Sequence, residues 1–117
     1  MLPHGDDTNA GHRRTFAAFR QMAATARNHV LGLYQRDPKT IKLRVDAYLS
    51  FDESESQWKR QMLRFHRSQQ ERNLEQRGSG LDDRILALNA RTAAELQIDD
   101  SYAEGFQVEF FQPRRGR

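Results

Sequence analysis

The stretch His4-Gly5-Asp6-Asp7-Thr8-Asn9-Ala10-Gly11-His12, followed at once by Arg13-Arg14-Thr15-Phe16, decides how the chain is read. Residues 1–11 are rich in turn formers and polar groups, which suits a loop. From His12 to about Asn28 the pattern becomes helical. Phe16, Phe19 and Ala23 recur at spacings of three and four and so share one face. A polar loop that carries imidazoles and carboxylates into a helix can hold those groups at the rim of a site.

Further along, Asp37-Pro38 reads as a turn, because the residue before proline is pushed out of helical space. Ile41-Lys42-Leu43-Arg44-Val45 alternates apolar and polar residues, as a half-buried strand does. Ser54 with Gln57 has the capping-box spacing and predicts a helix start. That helix is expected to run to about Leu74, with Trp58, Met62 and Phe65 on its buried face, and Arg77-Gly78-Ser79-Gly80 breaks it. A third helix is expected from about Asp82, whose carboxylate suits the positive helix N-terminus, with Ile85, Leu88 and Leu96 apolar. Phe106-Gln107-Val108-Glu109-Phe110 alternates again, as a terminal strand would. About three helices and two short strands result, and two strands are rarely stable without further partners. They are expected to extend a sheet whose other strands lie outside this chain.

The composition points the same way. Of 117 residues, 37% are hydrophobic and 30% are charged, so one modest core is the most the chain can bury. Its apolar faces are expected to pack against another domain or chain. The net charge is +3, and Arg supplies all but Lys39, Lys42 and Lys59 of the basic residues. The acidic residues are interleaved with the basic ones, and only Arg114-Arg115-Gly116-Arg117 is an unopposed basic cluster. That pattern favours a solvated surface with a basic tail over a nucleic-acid interface. The lack of cysteine rules out disulfides and thiolate chemistry. No apolar run approaches a membrane span, and no signal-peptide pattern opens the chain, so a cytoplasmic location is the default expectation.

Three segments carry candidate chemistry. The first is the N-terminal loop with His4, Asp6, Asp7, Asn9 and His12, whose imidazoles and carboxylates are suitable zinc ligands. By spacing alone a polar arm with two histidines is the commoner case. The second is His66-Arg67-Ser68-Gln69, where His66 is a proton carrier near neutral pH or a packing histidine. The third is Tyr102-Ala103-Glu104-Gly105-Phe106, where Glu104 either binds a sugar hydroxyl or serves as an ion-pair partner. His29 is read as structural. No serine sits in a nucleophile elbow, and no Lys-Ser/Thr follows Gly78 and Gly80 to make a phosphate loop.

Taken in order, these segments resemble the C-terminal half of the PIG-L/LmbE family of zinc-dependent N-deacetylases. Family members carry a metal-binding segment that ends in His and leads into a helix, a helical His-x-Ser-Gln motif, and a Tyr-Ala-Glu-x-Phe motif near the end. Here these match His4 to His12, His66 to Gln69, and Tyr102 to Phe106, and the likeness runs from Pro3 to Phe111. The resemblance implies a Rossmann-like α/β fold whose C-terminal portion is residues 1–111, with a basic tail at 112–117. It implies a zinc ion held by His12, with Asp7 as a nearby carboxylate. The implied reaction removes an N-acetyl group from an amino sugar or glycoconjugate. The family's His-Pro-Asp-Asp loop is missing, so the chain is expected to be inactive alone and to need an N-terminal half or another chain. Many members place a His three positions before the ligand, where this chain has Asn9. Asn9 can donate a hydrogen bond to an oxyanion but cannot act as an acid. A second alignment sets His4-Gly5-Asp6-Asp7 on the family's first motif, with His4 and Asp7 as ligands and Asp6 as the base. The helix after His12 favours the first of these alignments, and on either one the resemblance sets His66, Ser68, Gln69 and Glu104 at the substrate rim. The alternatives from other classes are a small basic helical module binding nucleic acid through Arg13, Arg14 and the tail, and a protein-interaction module.

Overall fold

The computed structural model describes residues 1–65 and 80–113. Among the described residues the elements are β1 (Leu2–Pro3), α1 (Ala10–Ala24), β2 (Val30–Gln35), β3 (Ala47–Phe51), α2 (Glu53–Arg64), α3 (Leu81–Leu96) and β4 (Tyr102–Phe111). The fold is mixed α/β, and its four strands lie in the order β1-β2-β4-β3. β1 and β2 are parallel, whereas β2 and β4 are antiparallel. Among the described residues, 1–48 with 105–113 form one compact unit, and 49–65 with 80–104 form the other.

In the first unit β1, α1 and β2 make a βαβ arrangement, with Leu2 opposite Tyr34 and Pro3 opposite Gln35. Asn9 starts α1 by accepting the His12 backbone N–H on its side-chain oxygen at 3.1 Å. The helix therefore begins before His12 and ends at Ala24, earlier than the apolar periodicity suggests. Phe16, Phe19 and Ala23 do share its inner face. The Tyr34 ring is fully buried, 4.8 Å from Phe16 and 6.1 Å from Phe19, both edge-on. The Tyr34 hydroxyl donates to Glu109 at 2.5 Å, and Arg20 grips the same carboxylate through two bonds of 3.0 and 2.9 Å.

Gly32 makes room for this ring. A Cβ there would stand 2.9 Å from the Tyr34 oxygen and 3.0 Å from a Phe19 ring carbon. Both neighbours are held in the core, so Gly32→Ala is expected to cost about 1–3 kcal/mol by urea unfolding.

Two expectations fail in this unit. β1 and β2 were not foreseen, because β2 is a near-continuous apolar run interrupted by Gly32, without the alternation that marks a half-exposed strand. Residues 41–45 are not a strand, and the pairing begins only at Ala47. Ile41 is solvent-exposed, the Arg44 N–H is taken by the Gln107 side chain at 3.1 Å, and the Asp46 N–H by the Phe106 carbonyl at 2.8 Å. The Asp46 carboxylate accepts the Val108 N–H, so a side chain does the work of a backbone ladder. The Arg44 guanidinium, and then that N–H, hold the Asp46 carboxyl below its ordinary pKa.

The second unit is built on α2 against α3. Asp52, not Ser54, caps α2, accepting the Glu55 N–H at 2.8 Å. The buried face is also reversed from expectation. Trp58, Met62 and Phe65 point to solvent, while Ser56, Lys59, Arg60 and Leu63 are buried or half-buried. The physical reason lies in the partners α3 and β4 provide. Lys59 donates to Asn89 at 2.7 Å and to Glu104, and its ammonium stands 5.1 Å from the Phe51 ring centre. Arg60 binds Asp82 at 2.8 Å and Asp83 at 2.6 Å, and Arg64 reaches Asp82 at 3.2 Å. Paired this way, charged side chains can be buried.

α3 matches expectation more closely, with Leu86, Leu88 and Ala93 in the core. Its Asp82 is fully buried, and Asp82→Ala would take that partner from both guanidiniums, although Arg60 keeps Asp83 and Arg64 is largely exposed. A loss of about 1–3 kcal/mol is expected in chemical denaturation.

Candidate metal centre

β1 delivers the chain to the 4–9 loop, and β2 delivers it to Asp37. Because β1 and β2 are parallel, both loops leave from carboxyl ends of neighbouring strands. That is where open α/β sheets place their ligands.

The two loops are laced together. Thr8 N–H donates to the Lys39 carbonyl at 3.0 Å, Ile41 N–H to the Asp6 carbonyl at 2.8 Å, and Asp7 bridges Thr40. Within the first loop, Asp7 Oδ1 accepts the Asn9 N–H at 2.7 Å, and Arg13 holds the Asp7 carbonyl at 2.8 Å. In the second, Asp37 accepts the Lys39 N–H at 2.7 Å and takes part in a turn closed by Thr40.

These constraints bring Asp7, His12 and Asp37 together. His12 Nδ1 is 3.0 Å from Asp7 Oδ2 and 3.5 Å from Asp37 Oδ2. One potential ligand atom from each of the three lies within 4.8 Å of the others. The Asp7 side chain has no solvent exposure, and those of His12 and Asp37 are each 31% exposed. Thr40 Oγ1 stands 3.5 Å from Asp7 Oδ2. An open cleft of about 360 Å³ adjoins the group and is lined by Met1, Leu2, Pro3, His12, Thr15, Gln35 and Asp37.

The donors suit a divalent ion. Bonds of about 2.0–2.2 Å to one imidazole and two carboxylates set tetrahedral donors roughly 3.3 Å apart. The two spacings from His12, 3.0 and 3.5 Å, bracket that value, and the third pair lies within 4.8 Å. Asp7, His12 and Asp37 thus form a candidate metal-binding triad.

The other predicted site residues are placed differently. His4 Nδ1 accepts the Asp6 N–H at 3.0 Å, and its ring packs 5.0 Å from Phe16 and 5.8 Å from Tyr34. It does not join the triad. Asp6 is exposed and contributes its backbone to the loop lacing. The Asn9 side-chain oxygen is spent on the helix cap. Glu104 lies in the second unit, paired with Lys59. His66, Ser68 and Gln69 fall outside the described residues, as does the Arg114–Arg117 segment. Asp37 was missed as a site residue. It was read only as a turn before Pro38, and the signal that could have found it was recognition of residues 30–35 as a strand feeding that turn.

Comparison of the chain with protein-family models, with curated proteins and with solved structures yields no match. Among the described residues, no helix is long and apolar enough to cross a membrane.

Proposed function

We propose that Asp7, His12 and Asp37 hold a divalent metal ion, zinc being the expected one. We propose further that the chain contributes this centre to a hydrolase removing N-acetyl groups from an amino sugar or glycoconjugate. The observation that carries the reading is the convergence of one imidazole and two carboxylates, with ligand atoms within 4.8 Å of one another, beside a cleft. The substrate class rests on the PIG-L/LmbE resemblance, as does a Rossmann-like ancestry for the βαβ arrangement.

A bound metal would lower the pKa of a water and polarise an amide carbonyl. The chain's own groups do the positioning. The Asn9 N–H and the Thr40 hydroxyl orient the buried Asp7 carboxylate, and Arg13 fixes its backbone. Asp7 in turn orients the His12 ring. Gln35 lines the same cleft and can hydrogen-bond a neutral polar substrate. The aspartate base and further ligands that the resemblance implies would come from an additional segment or chain.

The test is to titrate the chain with Co2+ and Zn2+, following the cobalt d–d bands and calorimetric heats. One site per chain, tighter for the wild type than for Asp37→Asn by about tenfold, is expected. Absence of binding, or binding that Asp37→Asn leaves untouched, would remove the basis for the proposal.

A further inference from the structure

The turn that carries Asp37 also fixes a hydroxyl. Thr40 N–H donates to the Asp37 carbonyl at 3.0 Å, and Thr40 Oγ1 accepts the Asp37 N–H at 3.0 Å, so main chain and side chain both close the turn. The Asp7–Thr40 bridge, with Thr8 bonded to Lys39 and Ile41 to Asp6, seats that turn against the loop before α1. Rotating the Thr40 side chain away would break its bond from the Asp37 N–H. The hydroxyl is therefore held beside the triad.

Its distances are those of a ligand. Thr40 Oγ1 stands 3.5 Å from Asp7 Oδ2 and 3.5 Å from Asp37 Oδ1. Both separations are longer than the about 2.5–3.0 Å of a strong O–H···O bond. They lie close to the roughly 3.3 Å between donors that share one divalent ion. Asp7 Oδ2 is also 3.0 Å from His12 Nδ1, so the hydroxyl and the imidazole flank the same carboxylate oxygen. The other oxygen of each carboxylate is engaged by the backbone. Asp7 Oδ1 accepts the Asn9 N–H and Asp37 Oδ1 the Lys39 N–H, each at 2.7 Å. A hydroxyl oxygen has two lone pairs. The Asp37 N–H takes one, and the second can face a cation.

We propose that the Thr40 hydroxyl is a fourth ligand of the divalent ion held by Asp7, His12 and Asp37. The inference rests on the reading of that triad as a metal centre. As a neutral donor the hydroxyl adds no charge, so the two carboxylates still balance the ion.

The chain has no cysteine, which gives a clean test. Thr40→Cys puts a soft thiolate donor where the hydroxyl stands. A thiolate bound to Co2+ gives an intense near-ultraviolet charge-transfer band that a thiol away from the metal does not. The full chain and its variants are to be titrated with Co2+ alone. In Thr40→Cys that band is expected to rise with the visible d–d bands to one equivalent. Thr40→Val, which keeps the shape and loses the oxygen, should bind Co2+ at least about tenfold more weakly. Thr40→Ser, which restores the oxygen, should bind close to the wild-type value. The valine and serine pair does not depend on how well the cysteine variant folds. Cobalt bound by Thr40→Cys without the charge-transfer band overturns the proposal and leaves the triad standing. So does a valine variant that binds as tightly as the wild type. A wild-type chain that binds no Co2+ removes the triad reading and the fourth ligand together.

Discussion

Replacing His12 by alanine is expected to weaken the divalent-metal binding proposed for this chain by at least about a hundredfold. The triad has a single imidazole, and two carboxylates alone hold transition metals far more weakly than a set containing nitrogen. Folding should be little affected, because the His12 side chain is partly exposed and the Asn9 cap uses the backbone N–H, which alanine retains. The measurement is calorimetry or cobalt absorption on both proteins at one pH. Undiminished affinity in His12→Ala would place the metal elsewhere.

Replacing Tyr34 by alanine produces the largest loss of stability, about 3–5 kcal/mol, read as a drop in urea midpoint. The ring is fully enclosed and touches the rings of His4, Phe16 and Phe19, so its removal empties the contact between α1 and the sheet. Loosening that contact also frees the loop that carries Asp7, and metal affinity should weaken in parallel. Tyr34→Phe separates the hydroxyl from the ring. Glu109 keeps its two bonds from Arg20, so the cost should be only about 1 kcal/mol.

The same hydroxyl sets an alkaline limit. Burial first, and then the hydrogen bond and charge of Glu109, raise its pKa well above the ordinary 10.0. The folded state therefore keeps a proton that the unfolded chain gives up. The resulting stability is fully present below pH about 10 and is lost as pH rises beyond it. Tyr34→Phe should flatten that alkaline decline in a pH series of urea midpoints. An equally steep decline in the variant would assign it to other groups.

Local signals carried much of the fold. The helices at 10–24 and 81–96 and the strand ending in Phe110 and Phe111 were legible because each has its period or its cap within its own residues. The nearness of Asp7 to His12 is local, set by five residues and one helix cap, but spacing alone favoured a polar arm, and the ligand role of His12 came from the PIG-L/LmbE resemblance. β2 was not legible, because its burial alternates while its residue types do not: Leu31, on the outer side, is as apolar as the inward positions, and one of those is Gly32.

The inner face of α2 was misread because apolar residues are the default choice for burial. That default yields when buried Asp82, with Asn89 and Glu104, offers cations enough hydrogen bonds. No window on α2 alone contains those partners, which lie 22 to 45 residues away.

By itself, then, the sequence determined the helices, the terminal strand, the loop rich in ligating groups and the absence of thiol chemistry. Only the tertiary structure decided that Asp37 joins Asp7 and His12, and that His4 does not. Asp37 lies some thirty positions from Asp7 in the chain, at the end of a strand pairing that covers only two residues of β1. Side chains so far apart meet because parallel strands end side by side, a relation set by long-range hydrogen bonding that no local pattern of residues records.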